Sequence, residues 1–208
     1  IETANENGGT FLYASPVHYR LLAAAQSAEH LRTLRRAIST LAALPDQTAY
    51  LFLERYGIPI SQAYGIIEVG LPAINLERAA ERPESIGRPL PDYEVALFDD
   101  DLRQVSTGTP GQLAVRGPGM FTGYLNPFRS LNETLHDGWF LTGDVARMDA
   151  DGLLTLGGRC KSVINVCGNK VFPEEVESVL NLHPHVRVSR VSGSRHSQMG
   201  EVVHAEVV

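Results

Sequence analysis

The sequence predicts an α/β fold built from three successive parts. In the first part, apolar runs at strand spacing alternate with helix-like runs, which is typical of a parallel sheet covered by helices. In the second part, short strand-like runs are separated by turn residues, which predicts a small antiparallel barrel or sandwich. In the third part, strands surround one helix, which predicts a small α+β unit. We place these parts at residues 1–83, 84–158 and 159–208.

Two helices and two strands are predicted in the first part. Ser15 caps the first helix and Pro16 suits its first turn, while Gly57 ends the second helix. The elements are a helix from Ser15 to about Glu29, a strand at Leu34–Ser39, a helix from Pro45 with Tyr50, Leu51, Leu53 and Tyr56 at helical spacing, and a strand at Ile58–Tyr64. We interpret Arg32, Arg35 and Arg36 as a solvated face on a helix-like stretch.

Short strands dominate the rest of the chain. Pro173, followed by two acids in a first turn, predicts one helix there, because acids favour the positive end of the helix dipole. The predicted strands are Val95–Phe98, Gln112–Arg116, Trp139–Thr142, Leu153–Leu156, a hairpin from Val163–Val166 across Gly168, Val186–Val191 and Val202–Val208.

Composition excludes several classes of protein. The 208 residues are 43% hydrophobic and 20% charged with a net charge of −6, whereas nucleic-acid and polybasic membrane surfaces need excess Lys and Arg. No apolar run approaches the ~20 residues that span a bilayer. Cys160 and Cys167 do not have zinc spacing, so we interpret them as free thiols and predict a cytoplasmic location. His183 and His185 flank a proline without nearby ligands and are interpreted as loop residues.

Five patches of sequence, taken in order, resemble the adenylate-forming superfamily, the group of acyl-CoA synthetases and peptide-synthetase adenylation domains. The resemblance implies the C-terminal part of that family's large domain, followed by the start of its small C-terminal domain. The patches are Ile38–Pro45, Gln62–Gly70, Gly111–Asn126, Gly138–Asp144 and Gly158–Glu177.

The first two patches imply a nucleotide site. Ala42 lies in a small-residue loop that borders the adenine and acyl pockets in the family. The Tyr-Gly-x-x-Glu run places Tyr64 against adenine, with Gly65 beside it, and makes Glu68 a catalytic residue that helps hold magnesium. Without the resemblance, Tyr64 would be interpreted as a buried core residue and Glu68 as a surface acid.

The Thr-Gly-Asp run and the glycine-rich crossover complete the implied site. Asp144 matches the aspartate that accepts hydrogen bonds from the ribose hydroxyls, and Arg159 matches an arginine near the ribose. Lys161 matches the hinge before the small domain and is assigned a catalytic role, while Gly168 matches a glycine facing the thiol-acceptor tunnel. The alternatives are a turn aspartate beside a glycine and solvated charges on a β-turn.

Three positions depart from the family pattern. Leu41 replaces a usual glycine, Ile67 replaces a threonine whose hydroxyl meets the α-phosphate, and Asn165 replaces a frequent lysine. Isoleucine cannot donate a hydrogen bond to a phosphate. The apolar pair Ile66-Ile67 weakly indicates a greasy acyl pocket.

The family's phosphate loop and its catalytic-lysine segment do not occur in these 208 residues. Because the chain opens with Ile1 and ends in an apolar run, we expect an internal piece of a longer protein that is inactive by itself. The resemblance implies that the intact protein is an acid–thiol ligase that converts ATP to AMP with the help of Mg2+. Its substrates would be a carboxylic acid and a thiol, either coenzyme A or the pantetheine of a carrier protein. A peptide-synthetase adenylation domain and a degenerate, non-catalytic nucleotide binder remain alternatives.

Overall fold

The computed structural model describes residues 1–26 and 30–208, and within them the chain forms five α-helices and sixteen strands. The helices are α1 (Glu2–Glu6), α2 (Pro16–Ala24), α3 (Asp46–Tyr56), α4 (Leu131–Thr134) and α5 (Pro173–Leu180). The strands are β1 (Phe11–Ala14), β2 (Arg36–Ser39), β3 (Ile60–Ile66), β4 (Gly70–Ile74), β5 (Ser85–Pro89), β6 (Glu94–Phe98), β7 (Gly111–Arg116), β8 (Gly123–Leu125), β9 (Phe128–Ser130), β10 (Leu135–His136), β11 (Trp139–Met148), β12 (Leu154–Arg159), β13 (Ile164–Val166), β14 (Asn169–Val171), β15 (Ser189–His196) and β16 (Gly200–Val207).

The first three strands form the predicted parallel layer. β1 pairs in parallel with β2, and β2 with β3. The helices α2 and α3 pack together beside them, and the ring of Tyr19 meets that of Phe52 edge to face with centroids 5.1 Å apart. Both rings are fully buried with Ile60, so burial of apolar area holds this layer together.

Local predictions in this layer were confirmed only in part. Ser15 is the N-cap residue of α2 and Pro16 lies in its first turn, as predicted, but the Ser15 hydroxyl makes no capping hydrogen bond and lies 2.8 Å from the His18 ring nitrogen Nδ1. The helix α2 stops at Ala24, and residues 27–29 of the predicted helix lie outside the described residues. The arginine group is exposed as predicted but is not helical, since Arg36 begins β2.

Helix α3 confirms its predicted position, and its burial pattern identifies the face that packs against the rest of this layer. It ends at Gly57, whose φ of 70° is the left-handed conformation that glycine adopts without steric cost. Phe52, rather than Tyr50 or Leu51, is the large side chain that it buries. Tyr50 and Leu51 point to solvent because α3 packs on α2 and the sheet through the stripe that includes Thr48, Ala49 and Phe52.

The antiparallel strands continue the same sheet. The strand order is β1-β2-β3-β4-β5-β12-β11-β7-β6, with β10 added beside β11. The sequence predicted these antiparallel strands as a small barrel or sandwich, and in the structure they join the parallel strands edge to edge in one mixed sheet. Their core is one apolar cluster that includes Tyr64, Val69, Leu113 and Leu154.

The C-terminal residues form a separate lobe. Its four-stranded sheet has the order β14-β13-β16-β15, with α5 packed against β15. The predicted hairpin across Gly168 is present: Cys167 (φ 50°) and Gly168 (φ 87°) form its two-residue turn, which needs positive φ at both positions. A short 3-10 turn, Cys160–Ser162, connects this lobe to β12. The predicted part boundaries at 83/84 and 158/159 stay predictions, and the second falls one residue before β12 ends.

Candidate functional site

A cleft of 410 Å³ lies where β3, β11 and β12 meet the start of α5. Its lining includes the loop 40–43 after β2, residues 62–66 of β3, Asp144 of β11, Gly158 and Arg159 of β12, and Glu174 of α5. The cleft therefore gathers residues from four of the five sequence patches, and five of the predicted site residues line it: Ala42, Tyr64, Gly65, Asp144 and Arg159.

A bulge in β11 presents Asp144 to the cleft. On either side of the bulge Leu141 pairs with Ala114 and Val145 with Gln112, so residues 142–144 face Leu113 alone. Gly143 takes a φ of 77° within the bulge. The Thr142 hydroxyl donates to the Leu113 carbonyl oxygen at 2.8 Å and accepts from the Asp144 N–H at 3.1 Å, so a side chain replaces the missing ladder bonds.

Arg159 lies directly opposite Asp144 on the neighbouring strand β12. Its Nη1 donates to Asp144 Oδ1 at 2.6 Å. The Asp144 side chain is 11% exposed and the Arg159 side chain 60% exposed, so the carboxylate is held while the guanidinium reaches solvent. The hydrogen bond to Asp144 raises the pKa of Arg159, which keeps the guanidinium charged.

Tyr64 approaches the same carboxylate from β3. Its hydroxyl donates to Asp144 Oδ2 at 2.5 Å, across 80 residues of sequence. Burial, together with this hydrogen bond, raises the pKa of Tyr64 above its ordinary value, so the phenol stays protonated and remains a donor. The predicted pair of Asp144 and Arg159 is thus a cluster of three.

The small-residue loop is held by a side chain to which sequence reasoning assigned no role. Buried Gln62 accepts from the Leu44 N–H at 2.8 Å and donates to the Pro83 carbonyl oxygen at 2.6 Å. Leu41, where the family usually has glycine, has a φ of 79° and a side chain that is 87% exposed. This backbone is the left-handed conformation that favours glycine, so Leu41 is strained.

Glu68 does not line this cleft. It follows the end of β3 by two residues and accepts a hydrogen bond from the Tyr124 hydroxyl at Oε1, at 2.9 Å. The adjacent Ile67 is 92% exposed. In the described ranges 1–26 and 30–208, no group of three or more His, Cys, Asp and Glu side chains could hold a metal ion. Glu68 therefore offers one carboxylate and not a protein-only cage.

Lys161 and Gly168 lie in two other grooves of the lobe. Lys161 is exposed on the connecting 3-10 turn and lines a polar groove of 430 Å³ with Glu174 and Arg190. Gly168 lines a larger groove of 760 Å³ between two hairpin tips, together with exposed Cys167 and Met199. The structure does not bring either residue to the Asp144 cluster, and their catalytic and tunnel roles stay predictions.

Sequence reasoning missed Thr142 and Glu174 as well as Gln62. Thr142 was visible as the first residue of the Thr-Gly-Asp run, but its structural role depends on the bulge. Glu174 packs on Gly158, where an added Cβ would lie 2.3 Å from its Oε2, so the lobe meets the cleft at this glycine. The sequence indicated Glu174 only as a favourable charge in a first helical turn.

One further structural finding concerns membranes. Across residues 1–26 and 30–208 there is no helix with the length and apolar character needed to cross a bilayer.

Comparison with known proteins gives a consistent match. The model of the AMP-binding enzyme family matches residues 1–125. A long-chain-fatty-acid–CoA ligase of Yersinia pestis is 44% identical over 124 residues, which is 60% of this chain and 22% of that ligase.

Solved structures match nearly the whole chain. The amide bond synthetase McbA from Marinactinospora thermotolerans aligns with a TM-score of 0.90 and 32% identity, over 99% of this chain and 43% of that one. The ATP-bound protein MatB from Rhodopseudomonas palustris aligns with a TM-score of 0.85 and 29% identity, over 95% and 40%. The chain thus spans about a fifth to two fifths of the length of these proteins.

Proposed function

Because this chain belongs to the AMP-binding enzyme family, we propose that the intact protein joins a carboxylic acid to a thiol at the expense of ATP. The acid's carboxylate oxygen bonds to the α-phosphorus of ATP as the bond to pyrophosphate breaks, which produces an acyl-adenylate. The sulfur of the thiol then bonds to the acyl carbon, the thiol proton passes to solvent, and the bond from the acyl carbon to the phosphate oxygen breaks, which releases AMP.

The observation that carries this proposal is the convergence of Tyr64, Asp144 and Arg159 in one cleft. A carboxylate can accept from two adjacent hydroxyls at once, which suits the vicinal diol of a ribose. Arg159, which also lines the cleft, adds a permanent positive charge that stays in contact with solvent. The small loop containing Ala42 lets a flat base approach the backbone.

Magnesium, when bound, would neutralise charge on the phosphate oxygens. Such sites in nucleotide enzymes take one or two carboxylates and complete the shell with phosphate and water oxygens. The single carboxylate of Glu68 fits that need, and the Tyr124 hydroxyl orients it from one oxygen. Lys161 lies on the turn between the lobe and the body, the name used here for strands β1–β12 with their helices, and would let the lobe reorient between the two half-reactions.

Coenzyme A is the acceptor we favour, because the Yersinia pestis relative is a CoA ligase. The pantetheine of a carrier protein, as in a peptide-synthetase adenylation domain, is the second candidate. A panel of carboxylic acids with each acceptor, assayed by thioester formation on the intact protein, separates the two.

The first test is acid-dependent exchange of pyrophosphate into ATP by the intact protein. Asp144→Asn should lower kcat/KM for ATP by about tenfold or more, because a hydrogen bond to a charged group contributes about 1.5–3 kcal/mol. The matched control is Asp151→Asn, at an exposed position on the next turn. Exchange that is unaffected by Asp144→Asn would remove the ribose role.

A non-catalytic nucleotide binder is the second candidate function, and exposed Ile67 in place of a hydroxyl residue favours it. That alternative predicts AMP binding without exchange for any acid. Ile67→Thr restores a hydroxyl that can donate to a phosphate. If the protein is an enzyme, this variant should exchange pyrophosphate into ATP faster, and if the protein only binds nucleotide, exchange should stay at background.

We also propose that residues 1–208 by themselves do not catalyse exchange, because the phosphate loop and the catalytic-lysine segment of the family are not among them. Exchange above background by the isolated segment would refute this.

A further inference from the structure

Both oxygens of the Asp144 carboxylate already have side-chain donors. Oδ1 accepts from Arg159 at 2.6 Å, and Oδ2 accepts from Tyr64 at 2.5 Å. A carboxylate offers about four acceptor positions, so about two remain for a ligand. The orientation of the carboxylate decides where those remaining positions point.

The two donors differ in rigidity. Tyr64 is 7% exposed, and its ring packs in the main apolar cluster with Val69 and Leu113. Its strand is paired on both sides, with β2 and β4. Because packing fixes the ring, the hydroxyl has one position, whereas the half-exposed Arg159 side chain can take several.

We propose that Tyr64 is a positioning residue that aims the free acceptor positions of Asp144 at the ribose hydroxyls and thereby sets the preference for ribonucleotides over deoxyribonucleotides. This inference rests on the proposed nucleotide site. It gives the tyrosine hydroxyl a role separate from any contact of its ring with the base, and Tyr64→Phe removes the first while keeping the second.

The test uses equilibrium binding of AMP, 2′-deoxyAMP and 3′-deoxyAMP to the intact protein, measured by calorimetry. In Tyr64→Phe, affinity for AMP should fall about tenfold. Affinity for the deoxynucleotide that lacks the contacted hydroxyl should fall far less, so the ratio of the two affinities becomes smaller. The matched control is Tyr93→Phe. Tyr93 packs on the same cluster, but its hydroxyl donates to the Val69 carbonyl oxygen at 3.1 Å, outside the cleft lining.

A double-mutant cycle with Asp144→Asn tests whether Tyr64 acts through Asp144. In the Asp144→Asn background, Tyr64→Phe should have little further effect on AMP affinity. Additive losses would overturn the proposal, and so would an unchanged ribose preference in Tyr64→Phe. Circular dichroism of each variant identifies any loss of fold. The Tyr93→Phe control then gives the change in AMP affinity that results from removing a tyrosine hydroxyl from this cluster.

Failure of the inference is distinguishable from failure of the proposed function. Ribose-selective AMP binding that depends on Tyr64, but without acid-dependent exchange, would support the inference and reject the ligase. Acid-dependent exchange together with a ribose preference that Tyr64→Phe does not change would support the ligase and reject the inference. A protein that binds no adenine nucleotide would overturn both.

Discussion

At the residue scale, Leu41 is the clearest conflict between a side chain and its backbone. A φ of 79° is costly for a residue with a Cβ, and its 87% exposed side chain gains almost nothing from packing. The buried amide of Gln62 holds the loop at Leu44, three residues away, so the neighbouring structure enforces this conformation.

We therefore predict that Leu41→Gly is more stable than Leu41→Ala, by roughly 0.5–1 kcal/mol. Relief of left-handed strain, about 1–2 kcal/mol, exceeds the extra chain entropy that glycine loses on folding. The free energy of unfolding in urea measures it. Leu125 is the control, because it is a 90% exposed strand residue whose φ is not positive. At this position the glycine variant should be less stable than the alanine variant. Equal stability of the two Leu41 variants would contradict the prediction.

At the element scale, the bulge in β11 links local chemistry to the site. The sequence run Thr-Gly-Asp contains a hydroxyl that can replace backbone partners, a glycine that takes positive φ, and an acid that the bulge turns towards the cleft. A regular strand would pair residues 142–144 with β7 and would not place Asp144 in this way.

Thr142→Val should destabilise the protein by about 1–3 kcal/mol, since it leaves the Leu113 carbonyl and the Asp144 N–H without their partner. Thr142→Ser keeps the hydroxyl and should cost less. Urea unfolding of both variants checks this ordering. A valine variant as stable as the serine variant would show that water satisfies both groups and that the hydroxyl does not hold the bulge.

At the scale of the whole molecule, one ion pair joins a lobe hairpin to the turn after β6. Lys170 of β14 forms an ion pair of 2.6 Å with Asp100, in the turn after β6, and both side chains are largely exposed. Such a pair contributes under about 1 kcal/mol to stability. Because the pair crosses the junction, we expect it to act on lobe orientation more than on folding.

Reversing one charge should therefore loosen the lobe without unfolding the protein. Asp100→Lys or Lys170→Asp alone should speed limited proteolysis at the 160–163 connection, and the double swap should restore the original rate. In 1 M salt the Debye length is about 3 Å, so the variants should converge. The control is Asp101→Lys, which changes the charge of the same turn without contacting the lobe. Identical rates of proteolysis in every variant would show that the ion pair does not restrain the orientation of the lobe.

The sequence by itself determined the order of most elements, because helix starts, turn glycines and strand periodicity are local properties of the chain. It indicated the family through five ordered patches that resemble it. It also identified Asp144 and Arg159 as a pair, which adjacent antiparallel strands then brought together. It did not determine which face of α3 is buried, since that depends on the surface against which the helix packs.

Only the tertiary structure decided that Tyr64 holds Asp144. Their contact spans 80 residues of sequence and depends on the order in which β3, β11 and the strands between them lie in the sheet. The tertiary structure also placed Glu68, Lys161 and Gly168 outside the cleft of that cluster, whereas the resemblance gave these residues separate roles without giving their distances. The sequence patches indicate which residue types a site uses. The distances between them follow from strand order and register, which non-local packing sets.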